Sequence, residues 1–193
     1  MTKNNKKGFT IIEVVLVLAI AGLIFLMVFI ALPALQRSQR NTRRRQDMAR
    51  ILSAINDYQT NNNGKSPSTG TELKDFVIKY VDSACSLKQG GTDSTNYAKF
   101  ENCGDQFMDP DGSSYGIINT YEEFVKAVEG TDYYDVDMGN LDGSNKEFNH
   151  WIHFVAGYKC SDSEGRVLKA GGKQIVSVMY TLEGNSVYCG DNE

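Results

Sequence analysis

Histidine is nearly missing from this chain. Of 193 residues only His150 and His153 carry an imidazole, and on a strand their odd spacing would send them to opposite faces, away from a shared metal. No G-x-S-x-G elbow, P-loop or dinucleotide fingerprint occurs, so serine-nucleophile, phosphate-cradling and nicotinamide chemistry have no local support. The cysteines Cys85, Cys103, Cys160 and Cys189 form no C-x-x-C pair, which removes zinc ribbons and thioredoxin-like sites. These gaps together point away from an enzyme. Acids are missing before Phe9, and charge of either sign is missing from Val14 to Leu35. No second uncharged apolar run follows, so one membrane anchor is expected and no more.

The charges present are segregated. Lys3, Lys6 and Lys7 precede Phe9, and Arg37, Arg40, Arg43, Arg44, Arg45 and Arg50 follow the apolar run with only Asp47 against them. From Ile51 onward 11 Lys+Arg face 22 Asp+Glu. An acidic body repels a polyanion, so no specific nucleic-acid partner is expected. For most of the arginines a solvated helix face is the expected setting.

The 22 residues Val14 to Leu35 would span roughly 33 Å as a helix, enough for a bilayer core. A secretory signal peptide is a poor fit, because the run is too long and lacks an A-x-A site followed by a mature start. An ordinary signal anchor and a leader cleaved ahead of the apolar run both remain. Counting Lys and Arg at the two ends of the run favours a C-terminal domain inside. The four cysteines favour it outside, as an even number in an exported domain reads as two disulfides. Glu13 separates the readings of the N-terminus. A carboxylate at the head of a membrane helix is costly, although Thr10-x-x-Glu13 is also a capping box that suits the helix dipole.

The full string Lys6-Lys7-Gly8-Phe9-Thr10-Ile11-Ile12-Glu13, followed by Val14-Val15-Leu16-Val17-Leu18-Ala19-Ile20, resembles the class III signal of type IV pilins and pseudopilins. The resemblance implies a leader, residues 1–8, cut after Gly8 by a prepilin peptidase. Phe9 would become the methylated N-terminus, and Glu13 would pair with the amine of a neighbouring subunit. Residues 9–35 would be the transmembrane and filament-core helix. Gly22 and Pro33 are the positions where such a helix would be distorted, with Pro33 alternatively ending or kinking the anchor. The implied partners are further copies of the chain, other pilins and a membrane assembly platform. The chain would sit in the cytoplasmic membrane before assembly and at the cell surface afterwards.

Beyond the anchor, Met48, Ile51, Leu52, Ile55 and Tyr58 make an amphipathic stripe, so residues 36–60 continue the helix with one face to bury. Asn61-Asn62-Asn63-Gly64 and Pro67 end it. Residues 61–193 are expected to form an extracellular α+β head. A short helix is expected over Thr71–Val81 and another from the capping-box match at Thr120 through Val128, with loops over 86–116 and 129–149. Strands are expected over Trp151–Cys160 and Gln174–Leu182, with a hairpin turn at Glu183-Gly184-Asn185 into Ser186–Cys189. An antiparallel sheet on the amphipathic half-helix would bury both apolar faces. Four cysteines allow three connectivities; Cys160–Cys189 with Cys85–Cys103 is the favoured one. No cofactor is expected, with calcium held in reserve for the oxygen-rich loop containing Asp109 and Asp111.

These features describe a structural subunit, a major or minor pilin of a type IV pilus serving adhesion, motility or DNA uptake. A type II secretion pseudopilin and a membrane-anchored extracellular binding module that never polymerises are the alternatives.

Overall fold

The computed structural model describes residues 8–93, 97–120, 125–136, 150–161, 167–184 and 186–193. The leader lysines Lys3, Lys6 and Lys7, residues 121–124 of the Thr120 capping-box match, residues 137–149 and Asn185 lie outside them. The chain divides into two compact units, Met1–Arg40 and Asn41–Glu193.

Helix α1 runs over Ile11–Asn61. It opens on the Thr10 capping box and is not ended by Pro33, which lies inside it. One lost backbone donor in a 51-residue helix is a local defect, and its φ is already helical. Asn63 and Gly64, both with positive φ (56° and 76°), then stop the helix, and the Gly64 N–H donates to the Gln59 carbonyl at 2.8 Å. Glycine adopts that conformation without a Cβ penalty.

In the second unit, α2 (Gly70–Phe76) starts at a second capping box, Thr69 with Glu72, and passes into a π-helical turn, Val77–Val81. Six strands follow in one sheet: β1 (Ser86–Asp93), β2 (Tyr97–Glu101), β3 (Gly116–Asn119), β6 (Trp151–Ala156), β9 (Val176–Thr181) and β10 (Val187–Asp191), in the order β1-β2-β3-β6-β9-β10. A four-stranded sheet contains β4 (Val125–Ala127), β5 (Tyr133–Val136), β7 (Tyr158–Cys160) and β8 (Val167–Ala170), in the order β4-β5-β8-β7. The α+β layout is that expected, a long N-terminal helix with an antiparallel-rich sheet. One pair departs from it: β3 and β6 are parallel. Parallel neighbours need a crossover, and β4 and β5 lie within the connection.

Several local expectations are corrected. The stretch 86–116 contains β1, β2, a 3₁₀ turn at Asp105–Phe107 and the first residue of β3. Its strands are short, and glycine and polar residues hide their alternation. The helix expected through Val128 is strand β4 where it is described; Val125 is buried against β5 and β8, so sheet pairing overrides the local capping signal. Tyr133–Val136 is a strand within the expected 129–149 loop. Trp151–Cys160 is two strands in different sheets, broken at Gly157, whose φ is 84°.

The six-stranded sheet is buried on both faces at its centre. On one face Met48, Ile51, Ala54, Ile55 and Tyr58 of α1 pack with Ile117, Ile152, Phe154, Val178 and Tyr180. On the other, Val155, Met179 and Val187 pack with Val125, Val136 and Leu168 of the smaller sheet. Cys85–Cys103 joins the segment after the π turn to the end of β2, and Cys160–Cys189 joins β7 to β10, hence one sheet to the other. Most tyrosines serve this interior, as the edge-on contacts of Tyr58 with Phe76 and of Tyr115 with Tyr180 show.

Candidate functional site

The first unit carries the residues expected to be processed and to assemble, Gly8, Phe9 and Glu13. Gly8 is exposed, and a Cβ built on it would meet nothing within 4 Å, so the peptide bond after it is open to an enzyme. Phe9 is 90% exposed. Glu13 Oε2 accepts from both the backbone N–H and the hydroxyl of Thr10 at 2.8 Å, and the Thr10 hydroxyl accepts from the Glu13 N–H at 3.4 Å. In the single chain, then, Glu13 closes its own helix N-terminus. From Ile11 to Leu35 the large apolar side chains are exposed all round the helix, and Gly22 stands in open space. Among the described residues α1 is the one helix long and apolar enough to cross a membrane. Contiguous apolar surface of this extent marks a contact with lipid or protein.

The second unit contains an ionic cluster that the charge pattern does not announce. Arg44 is 6% and Asp109 2% exposed. Arg44 Nε donates to Asp109 Oδ2 at 2.7 Å and Nη2 to Oδ1 at 2.8 Å, the bidentate geometry that planar guanidinium favours. The Tyr180 hydroxyl donates to Asp109 Oδ2 and the Asp111 N–H to Oδ1, at 2.8 and 3.0 Å. Arg44 Nη1 donates to Glu183 Oε1 at 3.1 Å. One helical turn on, Asp47 accepts from the Tyr115 hydroxyl at 2.8 Å and pairs with Arg50.

Each proton position follows from its surroundings. Burial alone would lower the Arg44 pKa, and the bonds and charge of Asp109 more than offset it, leaving it raised. Burial, reinforced by Asp109 and Asp47, raises Tyr180 and Tyr115, so both stay neutral donors. Burial raises Asp47, against Tyr115 and Arg50.

This geometry bears on the calcium candidates. Asp109, Asp111 and His150 lie close enough to share an ion. A carboxylate offers about four acceptor positions, and those of Asp109 receive Arg44 twice, Tyr180 and the Asp111 N–H. Asp111 is committed to Ser113 through Oδ1 and approaches His150 Nε2 at 3.5 Å. His153 lies apart in β6, buried, with Nδ1 3.0 Å from the Thr120 hydroxyl.

Arg44 is the residue that sequence reasoning left with the solvated arginines. Its signal is positional: Arg44 precedes Met48 by four residues and Ile51 by seven, so it extends the buried stripe by one turn.

The N-terminal geometry is matched by a comparison with known families. Residues 3–29 match the prokaryotic N-terminal methylation motif, which is the class III prepilin signal of type IV pilins. The chain thus carries, at its N-terminus, a prepilin signal of the type IV pilin or pseudopilin kind, of the sort a prepilin peptidase processes, followed by an exposed apolar helix. The match is confined to this segment and does not reach the head. No curated protein and no solved structure matches the chain.

Proposed function

We propose that the chain is a major or minor pilin of a type IV pilus, a structural subunit with no catalytic role and no cofactor. After cleavage behind Gly8 it polymerises through α1 with copies of itself and other pilins, drawn from the cytoplasmic membrane by an assembly platform, into a surface filament used in adhesion, motility or DNA uptake. The observation that carries this reading is the exposed apolar surface of Val14–Leu35, which begins within the matched prepilin signal of residues 3–29 and continues beyond it. Among the described residues these side chains stand exposed, and a filament core would cover them. Glu13 fits the same role. In the apolar core its carboxylate would need a cationic partner, and the new amine of Phe9 on a neighbouring copy is one.

Because the signal is shared, a type II secretion pseudopilin is the second reading. The mass of the N-terminal peptide in protein sheared from the cell surface tests the proposal. A peptide starting at methylated Phe9 and abundant in that fraction is expected. A processed chain confined to the membrane would favour the pseudopilin. A chain that keeps Met1 or Thr2 would leave an anchored binding module.

A further inference from the structure

We propose that Thr10 is a positioning residue for assembly: it holds the Glu13 carboxylate so that one oxygen is already satisfied and the other is left to the amine of a neighbouring copy. The proposal rests on the reading above, in which Glu13 pairs with the new amine of Phe9. In the single chain the backbone N–H and the hydroxyl of Thr10 both donate to Glu13 Oε2, each at 2.8 Å. A carboxylate offers about four acceptor positions, so those of Oε2 are taken. Among the described residues none donates to Oε1. The same hydroxyl accepts from the Glu13 N–H at 3.4 Å, which ties the side chain to its own turn of backbone.

The pair between copies carries costs that this hold reduces. A buried ion pair offsets its desolvation only when the remaining lone pairs are also hydrogen-bonded. Glu13 borders the charge-free run Val14–Leu35 and would enter an apolar core with Oε2 already bonded, leaving only Oε1 for the amine. A once-methylated ammonium keeps a pair of N–H donors, which matches the acceptor positions that remain. Glutamate also loses much rotamer freedom when it is fixed. Glu13 is exposed, so its rotamer is set by the Thr10 bonds and not by packing. Ordering a side chain before the partner arrives removes that cost from the association step. The other capping box shows what is particular to α1. At α2 the Thr69 hydroxyl accepts from the Glu72 N–H, but the hydroxyl that donates to Glu72 belongs to Ser68. Phe9 stands in the corresponding place before Thr10, so at Glu13 a single hydroxyl has both tasks.

The test uses the full chain after cleavage by a prepilin peptidase, its start at Phe9 confirmed by mass, as donor- and acceptor-labelled copies in phosphatidylcholine vesicles. Energy transfer at falling protein-to-lipid ratio gives the association constant. Thr10→Val keeps the branched shape and loses the hydroxyl, and is expected to weaken association about fivefold. Thr10→Ala should match it and Thr10→Ser should restore the wild-type value. A helix cap alone would give the same order, so the deciding measurement is Thr10→Val in a Glu13→Gln background. Glu13→Gln lacks the charge that pairs with the amine, so losing the hydroxyl should weaken that chain no further. A hydroxyl acting only as a cap for the backbone N–H of residue 13 would still be missed there. The proposal is overturned if Thr10→Val associates as the wild type does, or if it weakens the Glu13→Gln chain by the same factor. A wild-type chain that does not associate, or whose association ignores Glu13→Gln, removes the ion pair itself. That is a distinct result, which defeats the reading of Glu13 and the proposal with it. An unchanged unfolding midpoint of the head certifies the fold of each variant.

Discussion

The two stretches of α1, before and after the unit boundary at Arg40, share a helical backbone and little else. Before it, the apolar side chains are exposed, Leu23 by 67%, and the sole carboxylate, Glu13, caps its own helix. After it, Met48, Ile51 and Ile55 are fully covered and the charged Arg44 and Asp47 are buried with them. The same secondary structure therefore draws its stability from two sources. An apolar surface of this extent, exposed among the described residues, marks a contact with lipid or protein. A mixed face that the chain does cover becomes part of a core, where even a guanidinium is tolerated once its partners are complete. Substitutions should accordingly separate into those that move the head's melting and those that move membrane insertion.

The largest effect is expected at Arg44. Arg44→Ala strands the buried Asp109 charge and should remove about 3–5 kcal/mol of head stability, with membrane insertion unchanged. Arg44→Met combined with Asp109→Leu should recover most of the loss, since an apolar pair of similar volume is often neutral or better. Denaturant unfolding of the full chain in detergent measures both. Chelation by EDTA should leave the wild-type midpoint where it is, because Arg44, the Tyr180 hydroxyl and the Asp111 N–H already occupy the acceptor positions of Asp109.

The opposite experiment is Leu23→Asp. A carboxylate at the middle of the span should cost about 2.5–3.5 kcal/mol of insertion and leave the unfolding midpoint of the head unmoved. A shift in that midpoint would show that the two stretches are not independent.

How far this division can be read in the sequence depends on the range of the forces involved. The leader, the apolar run and the stripe from Met48 to Tyr58 are legible because each is a long pattern in one stretch of chain, and α1 begins within two residues and ends within one of the expected limits. Arg44 is hidden because its partners, Asp109, Tyr180 and Glu183, are between 65 and 139 residues away, and because Arg43 and Arg45 flank it with the same side chain. The strands of 86–136 are hidden for a related reason. β4 is three residues long with a buried Val125 and exposed neighbours, so its identity comes from pairing with β5 and from no period of its own. The methylation signal is read by an enzyme as a linear string, so it needs no fold to be recognised.

Acid should sharpen the contrast by acting on the head alone. Burial pushes the His153 pKa down to about 4 from 6.5. Its folded pKa is the lower of the two, so the unfolded chain binds more protons between about pH 6.5 and 4. The contribution is full above about pH 6.5 and is lost as pH falls, to a total of about 3 kcal/mol. Unfolding of the wild type compared with His153→Gln isolates this part from the carboxylates, and the variant's profile should be flatter over that interval.

The smallest expected effect compares like with like. Thr10 and Thr69 open α1 and α2 with the same device, a hydroxyl accepting from the N–H of a glutamate three residues on while that glutamate reaches back, at 3.4 Å for Glu13 and 3.3 Å for Glu72. Thr69→Ala should cost about 1 kcal/mol of head stability, because α2 supplies the buried Leu73 and Phe76 to the core. Thr10→Ala removes an equivalent bond from a turn whose residues are exposed, so the head's midpoint should not move. Its effect should fall on the N-terminus instead, freeing the Glu13 carboxylate from its own first turn. Equal losses of head stability from the two alanines would mean that the first turn of α1 is coupled to the head.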